Sequence, residues 1–154
     1  MKAPEAARKI LDTLLGHLGF VVNIEIQETE DGTCLQILTT ESRYLIGKDG
    51  ERLDDLQYLV NRVLRKHFPK AQRMRVDCEH YRAIQEDNLA EEVLGLAERV
   101  KASGKQFKMR PLNAYYRRLV HNALVGHEDV ESVSPKGDER LKQITLRLKK
   151  ANES

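Results

Sequence analysis

Two glycines that enclose a lysine form the stretch whose residue types and spacing best predict chemistry. Glycine has no β-carbon, so a backbone containing it can lie close to a nucleic-acid strand. Lys48 lies between the glycines, where it can meet a phosphate. A helix beginning behind them offers free N–H groups and a positive dipole end. Asp49 and Glu51 weaken that field. We call Gly47–Gly50 the glycine loop, and the first candidate site consists of Ile46, Gly47, Lys48, Asp49, Gly50 and Arg52.

A second candidate site lies in the last third of the chain. Arg117 and His121 are four residues apart, so on a helix they share one face and can address one ligand together. Arginine offers a planar fork for phosphate, and imidazole adds a directional hydrogen bond. The pair alone also fits a solvated helix surface without a role. The neighbouring basic residues that we assign to the same site are Arg118, Lys108, Arg110 and Arg140.

The elements that position the glycine loop are predicted in the order helix, strand, strand, helix, helix, strand. Helical spacing of apolar residues covers 4–18, and a turn at 30–32 joins two alternating runs into a β-hairpin. A short segment at 42–46 precedes the loop. The helix behind the loop is predicted over 51–67, Pro69 ends it, and 73–77 alternates like a third strand. The buried face of that helix is predicted to carry Leu53, Leu56, Val60, Val63 and Leu64. Outside this context, two glycines three apart also fit a tight helix connection that binds nothing.

The second half begins with a long helix predicted over 81–102, whose apolar stripe must bury against other elements. A basic strand at 106–110 follows, and Pro111 is predicted to begin the next helix, over 112–125. The chain then forms a hairpin between 130 and 148. The prediction is an α+β protein with a first domain at 1–80, a linker helix at 81–104 and a small second domain at 105–150. The stripe consists of Leu89, Val93, Leu96 and Val100.

The charge of the chain is unevenly distributed. The net charge is +2 overall, but residues 105–154 alone hold 11 basic and 6 acidic side chains. No Asp or Glu lies between Leu56 and Val76, where a second basic cluster occurs. Two basic surfaces favour polyanionic partners, although such charges also solvate ordinary surfaces. The second cluster consists of Arg62, Arg65, Lys66, Lys70, Arg73 and Arg75.

Several classes of function are disfavoured by what the chain lacks. No segment approaches the roughly 20 apolar residues of a membrane span and no signal-peptide core follows Met1, so we expect a cytoplasmic protein without direct membrane insertion. Cys34 and Cys78 are expected to be reduced core residues. No phosphate-binding P-loop, metal-ligand spacing or nucleophile-elbow sequence occurs, so we expect neither an enzyme nor a cofactor. Five tyrosines, three phenylalanines and no tryptophan are too few for an aromatic stacking platform.

The stretch from Leu45 to Leu59 resembles the KH family of RNA-binding domains in its type II topology, in particular that of the Jag proteins, also called KhpB or SpoIIIJ-associated protein. The segment around Arg117 and His121 resembles the R-three-H domain, which follows the KH unit in Jag proteins. Together the two resemblances span about residues 5–149. They imply a type II KH domain, a linker helix and an R-three-H domain with a C-terminal β-hairpin.

The resemblance implies a bacterial regulator or RNA chaperone that binds single strands. Its partners would be single-stranded RNA, with single-stranded DNA an alternative for the C-terminal module. The glycine loop would grip the backbone of about four nucleotides. A homodimer, or a heterodimer with a small KH-domain protein, is also implied. Jag proteins commonly carry a further N-terminal domain, which we expect this chain to lack. The competing hypothesis is a protein–protein adaptor linked to cell-envelope or membrane-insertion machinery.

Overall fold

The computed structural model describes residues 1–150, which form two compact units. One unit extends from Met1 to Arg82 and the other begins at Ala83. Each combines helices with a three-stranded sheet, so the protein has a mixed α+β fold. Within residues 1–150, none of the helices is at once long and apolar enough to cross a membrane.

The first unit places a sheet beside the glycine loop. Its elements are α1 (Ala3–His17), β1 (Asn23–Thr29), β2 (Gly32–Leu38), α2 (Ser42–Ile46), a 3-10 turn (Lys48–Gly50), α3 (Glu51–His67) and β3 (Arg75–Cys78). The central strand β2 pairs antiparallel with β1 and parallel with β3. A parallel pair needs a crossover connection, and the segment containing α2, the glycine loop and α3 supplies it. The elements follow the order that the sequence pattern predicted.

The core of the first unit explains why α3 is fixed in place. Fully or almost fully buried side chains come from α1, β2, α3 and β3, and they include Leu11, Leu15, Leu35, Ile37, Leu53, Val60, Leu64 and Val76. The prediction that Val63 belongs to this face was wrong, because Val63 is 38% exposed. Asn61 is buried instead, and its amide bonds to the backbone of Met74. Cys34 and Cys78 are buried and free, as predicted, and burial raises the pKa of Cys78 to about 12.

Side chains occupy the outer edge of β3, where no further strand pairs within the described residues. The Val76 N–H donates to Gln57 Oε1 at 2.9 Å, and the Val76 carbonyl accepts from Arg82 Nε at 2.8 Å. The Asn61 amide accepts from the Met74 N–H at 2.7 Å and donates to the Met74 carbonyl at 2.8 Å. Unpaired backbone groups at a sheet edge otherwise invite another strand. Gln57 and Asn61 of α3 therefore bond to backbone groups along this edge and hold the helix against it.

The second unit packs two helices against an antiparallel sheet. Its elements are α4 (Tyr81–Ser103, which begins at the end of the first unit), β4 (Phe107–Leu112), α5 (Ala114–Leu124), β5 (Val130–Val133) and β6 (Lys142–Leu148). The strand order is β4-β6-β5. The predicted stripe of α4 is buried together with Met109, Val120, Ile144 and Leu146. The long helix thus supplies core side chains to the second unit.

The boundary between β4 and α5 differs from the prediction. Pro111 and Leu112 continue the strand, and α5 begins only at Ala114. Pro111 lies opposite Gln143, directly after a shift in register between β4 and β6, where a residue without an N–H is tolerated. Asn113 is the N-cap, because its side-chain oxygen accepts a hydrogen bond from the Tyr116 N–H at 2.9 Å. A capping side chain therefore sets the helix start instead of the proline.

Candidate nucleic-acid interface

The glycine loop has a backbone that most residues cannot adopt. Gly47 has φ 71° and ψ −171°, a combination that is essentially restricted to glycine. Gly50 has φ 80° and ψ 13°, and Asp49 between them is also left-handed, with φ 53°. Aspartate tolerates this region better than most side chains do. Three of the four loop residues therefore have positive φ.

A side chain at either glycine would also meet a neighbouring side chain. A β-carbon at Gly47 would lie 2.8 Å from Cγ of Arg52, and one at Gly50 would lie 3.1 Å from Cε1 of Tyr81. Arg52 crosses the loop and donates from Nη1 to the Tyr44 carbonyl at 2.9 Å. Arg52, which we assigned to the binding site, thus also supports the shape of the loop. Ile46 is half-buried against the core, whereas Lys48 and Asp49 are both exposed.

The electrostatic field at the loop is mixed. Gly50 precedes the first turn of α3, and no side chain caps the N–H groups of that turn, so they can face an anion. The carboxylate of Asp49 repels an anion at this helix N-terminus. Burial raises the pKa of the nearby Tyr81 hydroxyl, and the charge of Asp49 raises it further. Asp54 in the first turn is paired with Arg82 at 2.9 Å, which compensates part of the acidic charge.

Arg117 and His121 bond to different partners in the second unit. Arg117 Nη1 donates to the Leu112 carbonyl at 2.6 Å and to the Arg140 carbonyl at 3.3 Å. The imidazole of His121 shares a hydrogen bond with the Ser132 hydroxyl. Burial, followed by the charge of Arg117, holds the pKa of His121 below its ordinary value of 6.5. Both half-buried side chains tie α5 to the strands and loops around it.

The irregularity in β4 separates Lys108 from Arg110, which an unbroken strand would place on one face. Lys108 is opposite Thr145 and Pro111 is opposite Gln143, so one extra residue of β4 lies between the two pairs. Arg110 bonds through Nη1 to both carboxylate oxygens of Glu92 on α4, at 2.5 and 2.7 Å. Lys108 instead borders a cleft of about 340 Å³ together with Val133, Pro135, Gln143 and Thr145.

Two further candidates lie at the surface. Arg118 is accessible beside the half-buried Arg117, and Arg140 is exposed in the connection between β5 and β6. Of the six residues assigned to the second site, Lys108, Arg118 and Arg140 therefore present accessible charges that form no ion pair with a carboxylate in residues 1–150. Arg110 is ion-paired, and Arg117 and His121 are occupied by contacts within the unit.

The site assignment from sequence omitted a basic cleft in the first unit. The cleft has a volume of about 530 Å³ and lies where the C-terminal half of α3 meets the segment before β3. The sequence contained the signal for it, a run from Leu56 to Val76 without any carboxylate. We call this feature the α3 cleft, and its lining residues are Tyr58, Asn61, Arg62, Arg65, Lys66 and Arg73.

Comparison with known proteins identifies the family. The family model of the R-three-H domain matches residues 87–148, which contain most of α4 and all the later elements. The chain is 30% identical over 151 residues to the RNA-binding protein KhpB of Clostridium symbiosum, an alignment covering 98% of this chain and 67% of that protein. This chain belongs to the KhpB family. Other KhpB proteins are similar too, with 24% identity over 123 residues in Bacillus subtilis and 26% over 148 residues in Lactiplantibacillus plantarum.

The KhpB relatives are longer than the region they share with this chain. The Bacillus subtilis alignment covers 80% of this chain and 59% of that protein, and the Lactiplantibacillus plantarum alignment covers 94% and 46%. Within the R-three-H match lie Arg117 and His121, on α5. Among residues 1–150, no cluster of three or more His, Cys, Asp or Glu side chains is arranged to hold a metal ion.

Proposed function

We propose that this member of the KhpB family binds single-stranded RNA and acts as a binding protein rather than an enzyme. Residues 1–80 would serve as a type II KH domain, 81–104 as a linker helix and 105–150 as the R-three-H domain. Three similar proteins carry the name RNA-binding protein KhpB. The observation that carries the proposal is the glycine loop, whose left-handed backbone lies between two helices and directly before an uncapped helix N-terminus.

The proposed grip at the glycine loop is on the RNA backbone. Gly47 and Gly50 let the strand approach the loop, and Lys48 meets a phosphate. The N–H groups at the start of α3 face the same anion. Ile46 and Arg52 support the shape of the loop, since Ile46 packs on the core and Arg52 donates a hydrogen bond to the Tyr44 carbonyl. Asp49 opposes the phosphate and keeps this contact weak.

The second grip is proposed at the surface of the R-three-H domain. Lys108, Arg118 and Arg140 supply the accessible charge for phosphates. Arg117 and His121 hold the elements that carry these charges, because they bond to the β4 end, to the Arg140 backbone and to β5. The proposal includes single-stranded DNA as a second ligand of this domain. It also includes a cytoplasmic regulator or RNA-chaperone role, and pairing with itself or with a small KH-domain protein.

The direct test is Lys48→Asp in the full chain, measured by fluorescence anisotropy with a labelled single-stranded RNA. Like-charge repulsion at the loop should weaken binding about tenfold or more, which corresponds to about 1.4 kcal/mol. Lys9→Asp is the matched control, because Lys9 is an exposed residue of α1 and the charge change is the same. Equal affinities of the two variants would show that the glycine loop is not the grip.

A protein–protein adaptor is the second candidate. Leu59 and Val63 lie one turn apart on α3 and are 43% and 38% exposed, which gives that helix an accessible apolar strip. Size-exclusion chromatography with and without RNA separates the candidates. An adaptor would elute without bound RNA even at low salt, and Leu59→Ser with Val63→Ser would weaken its association with protein partners.

A further inference from the structure

The α3 cleft lies at the far end of α3 from the glycine loop. The α3 residues of the cleft, from Tyr58 to Lys66, lie 8 to 16 residues after Gly50, and a helix rises 1.5 Å per residue, so they are about 12 to 24 Å from the glycine loop along the helix axis. Arg62, Arg65 and Lys66 come from α3, and Arg73 comes from the segment before β3. The cleft is therefore a second charged feature of the first unit, distinct from the grip proposed above.

The four cations of the α3 cleft are not neutralised by ion pairs. Within residues 1–150, none of the four forms an ion pair. The nearest acidic residue along the chain after this run is Asp77, which is buried and accepts hydrogen bonds from the N–H groups of Cys78 and Arg82. Like charges that line one cleft repel, and a bound polyanion relieves that repulsion. The missing counter-charge has to come from a ligand or from solvent ions.

Asn61 fixes the shape of the α3 cleft. Its amide donates to the Gln57 and Met74 carbonyls, both at 2.8 Å, and accepts from the Met74 N–H at 2.7 Å. All the usual hydrogen-bonding directions of the amide but one are therefore used inside the protein. These bonds join the α3 wall to the residue that follows Arg73. These buried contacts fix the position of both walls of the cleft, so ligand binding has to order side chains but not the backbone.

We infer that the α3 cleft binds the phosphate backbone of a single RNA strand, so that the first unit contacts RNA at both ends of α3. This inference rests on the proposed function. Three of the four cations are arginines, whose planar forks match phosphate oxygens. Tyr58 at the rim is 61% exposed, which leaves an aromatic face for a base. Arginines next to an accessible aromatic ring fit a nucleic-acid strand better than an anionic membrane surface, which needs charge alone.

The test compares RNAs of two lengths in the full chain carrying Arg62→Gln and Arg65→Gln. An RNA of about four nucleotides occupies the glycine loop only, whereas one of about 20 nucleotides reaches the cleft as well. Affinity for the long RNA should fall about tenfold, and its log–log salt slope should decrease in magnitude by about 1.4, or about 0.7 per lost phosphate contact. Affinity for the short RNA should stay unchanged. Arg8→Gln with Lys9→Gln on α1 is the control with the same loss of charge.

Three results would overturn the inference. One is a long-RNA affinity equal to that of the control, with Lys48→Asp still reducing binding, and this result would leave the proposed function intact. Another is equal loss on short and long RNA. The third is unchanged binding of both RNAs by the variant together with weaker binding to phosphatidylglycerol vesicles, which would identify a membrane surface as the ligand of the cleft. Failure of the parent protein to bind either RNA would instead overturn the proposed function itself. Arg73→Gln, outside the helix, repeats the test without altering α3 and should reduce long-RNA binding in the same direction.

Discussion

Gly47 and Gly50 differ from Gly95, a glycine inside a helix, in backbone conformation and in the space around them. Gly47 and Gly50 combine positive φ with a neighbour that a β-carbon would touch at 2.8 and 3.1 Å. Gly95 lies inside α4, and apart from its chain neighbours and the backbone of its own helix no atom lies within 4 Å of such a β-carbon. The cost of a side chain should therefore depend on position rather than on the loss of glycine as such.

We expect Gly47→Ala and Gly50→Ala each to lower the free energy of unfolding by about 1–3 kcal/mol, because both place a side chain in a strained backbone region. Gly95→Ala should leave it unchanged or raise it by up to about 1 kcal/mol, since alanine favours a helix interior. Urea denaturation of the three variants measures the differences. Equal stability of all three would contradict the backbone strain assigned to the loop.

His121 should make the stability of the second unit depend on pH. Burial and Arg117 hold the pKa of His121 below 6.5, so near neutral pH the folded chain keeps the imidazole uncharged. Just below pH 6.5 the unfolded chain binds more protons than the folded chain, so acid favours unfolding. The contribution of neutral His121 to the free energy of unfolding is present above about pH 7. It is lost as the pH falls through 6.5 towards the pKa of His121 in the folded chain.

Urea midpoints of the parent and of His121→Gln, measured at several pH values from about 5 to 8, isolate this contribution. The parent should lose stability on acidification more steeply than the variant. The other histidines remain in both proteins, so their effects cancel in the comparison. A difference between the two midpoints that does not change with pH would rule out a titrating His121 in this range.

At the scale of elements, α5 is anchored by Arg117. This side chain bonds to the last residue of β4 and to the backbone of the β5–β6 connection, at 2.6 and 3.3 Å. Arg118 occupies the next position and is accessible to solvent. Adjacent arginines thus have different roles: one joins elements and the other presents charge.

Arg117→Ala should lower the free energy of unfolding by about 1–2 kcal/mol, because two backbone carbonyls lose a charged donor. Arg118→Ala should leave stability within about 0.5 kcal/mol of the parent and weaken RNA binding through lost phosphate contact. Thermal unfolding and fluorescence anisotropy on both variants test the distinction. If Arg118→Ala destabilises as much as Arg117→Ala, the assignment of separate roles fails.

The elements that depend on local sequence were predicted well. The bounds of α3, Glu51–His67, agree with the prediction, because apolar spacing inside the helix and Pro69 behind it are local signals. The start of α5 was misplaced, because whether Pro111 begins a helix or continues a strand depends on its pairing with β6. The ion pair of Arg110 was missed for the same reason, since the extra residue in β4 and the position of Glu92 are tertiary features.

Candidate sites were harder to obtain from sequence than elements. The glycine loop could be proposed from the sequence because its residues are contiguous. The α3 cleft was seen only as a charge cluster, because Asn61 brings Arg73 beside Arg62 through contacts 13 residues apart in the chain. Nothing in the local sequence around Asn61 marks it as the residue that joins the two segments.

At the scale of the whole molecule, each of the two units has its own core and carries at least one proposed contact with the same RNA strand. A strand held by one unit reaches the other at a high effective concentration, so short and long RNAs should bind with very different affinities. We expect affinity to rise by about 10²- to 10⁴-fold when the RNA lengthens from about four nucleotides to a length that occupies both units. Anisotropy titrations over a series of RNA lengths measure this increase.

Lys108→Ala with Arg118→Ala should remove most of that increase while leaving the affinity for the shortest RNA unchanged, because both residues belong to the second unit. Lys101→Ala with Arg99→Ala, which removes the same charge from α4, is the comparison. An increase with length as large in the first variant as in the parent would show that the second unit does not hold the strand.

The closed edge of β3 also limits how copies of this protein can assemble. Gln57, Asn61 and Arg82 already occupy the backbone groups that a new strand would need along β3. Within the described part of the first unit, the outer side of β1 is the remaining open edge of the sheet. A dimer that joins this sheet to the same sheet of a second copy must therefore pair β1 with β1 about a two-fold axis, and that sheet stops growing once the two three-stranded sheets are joined.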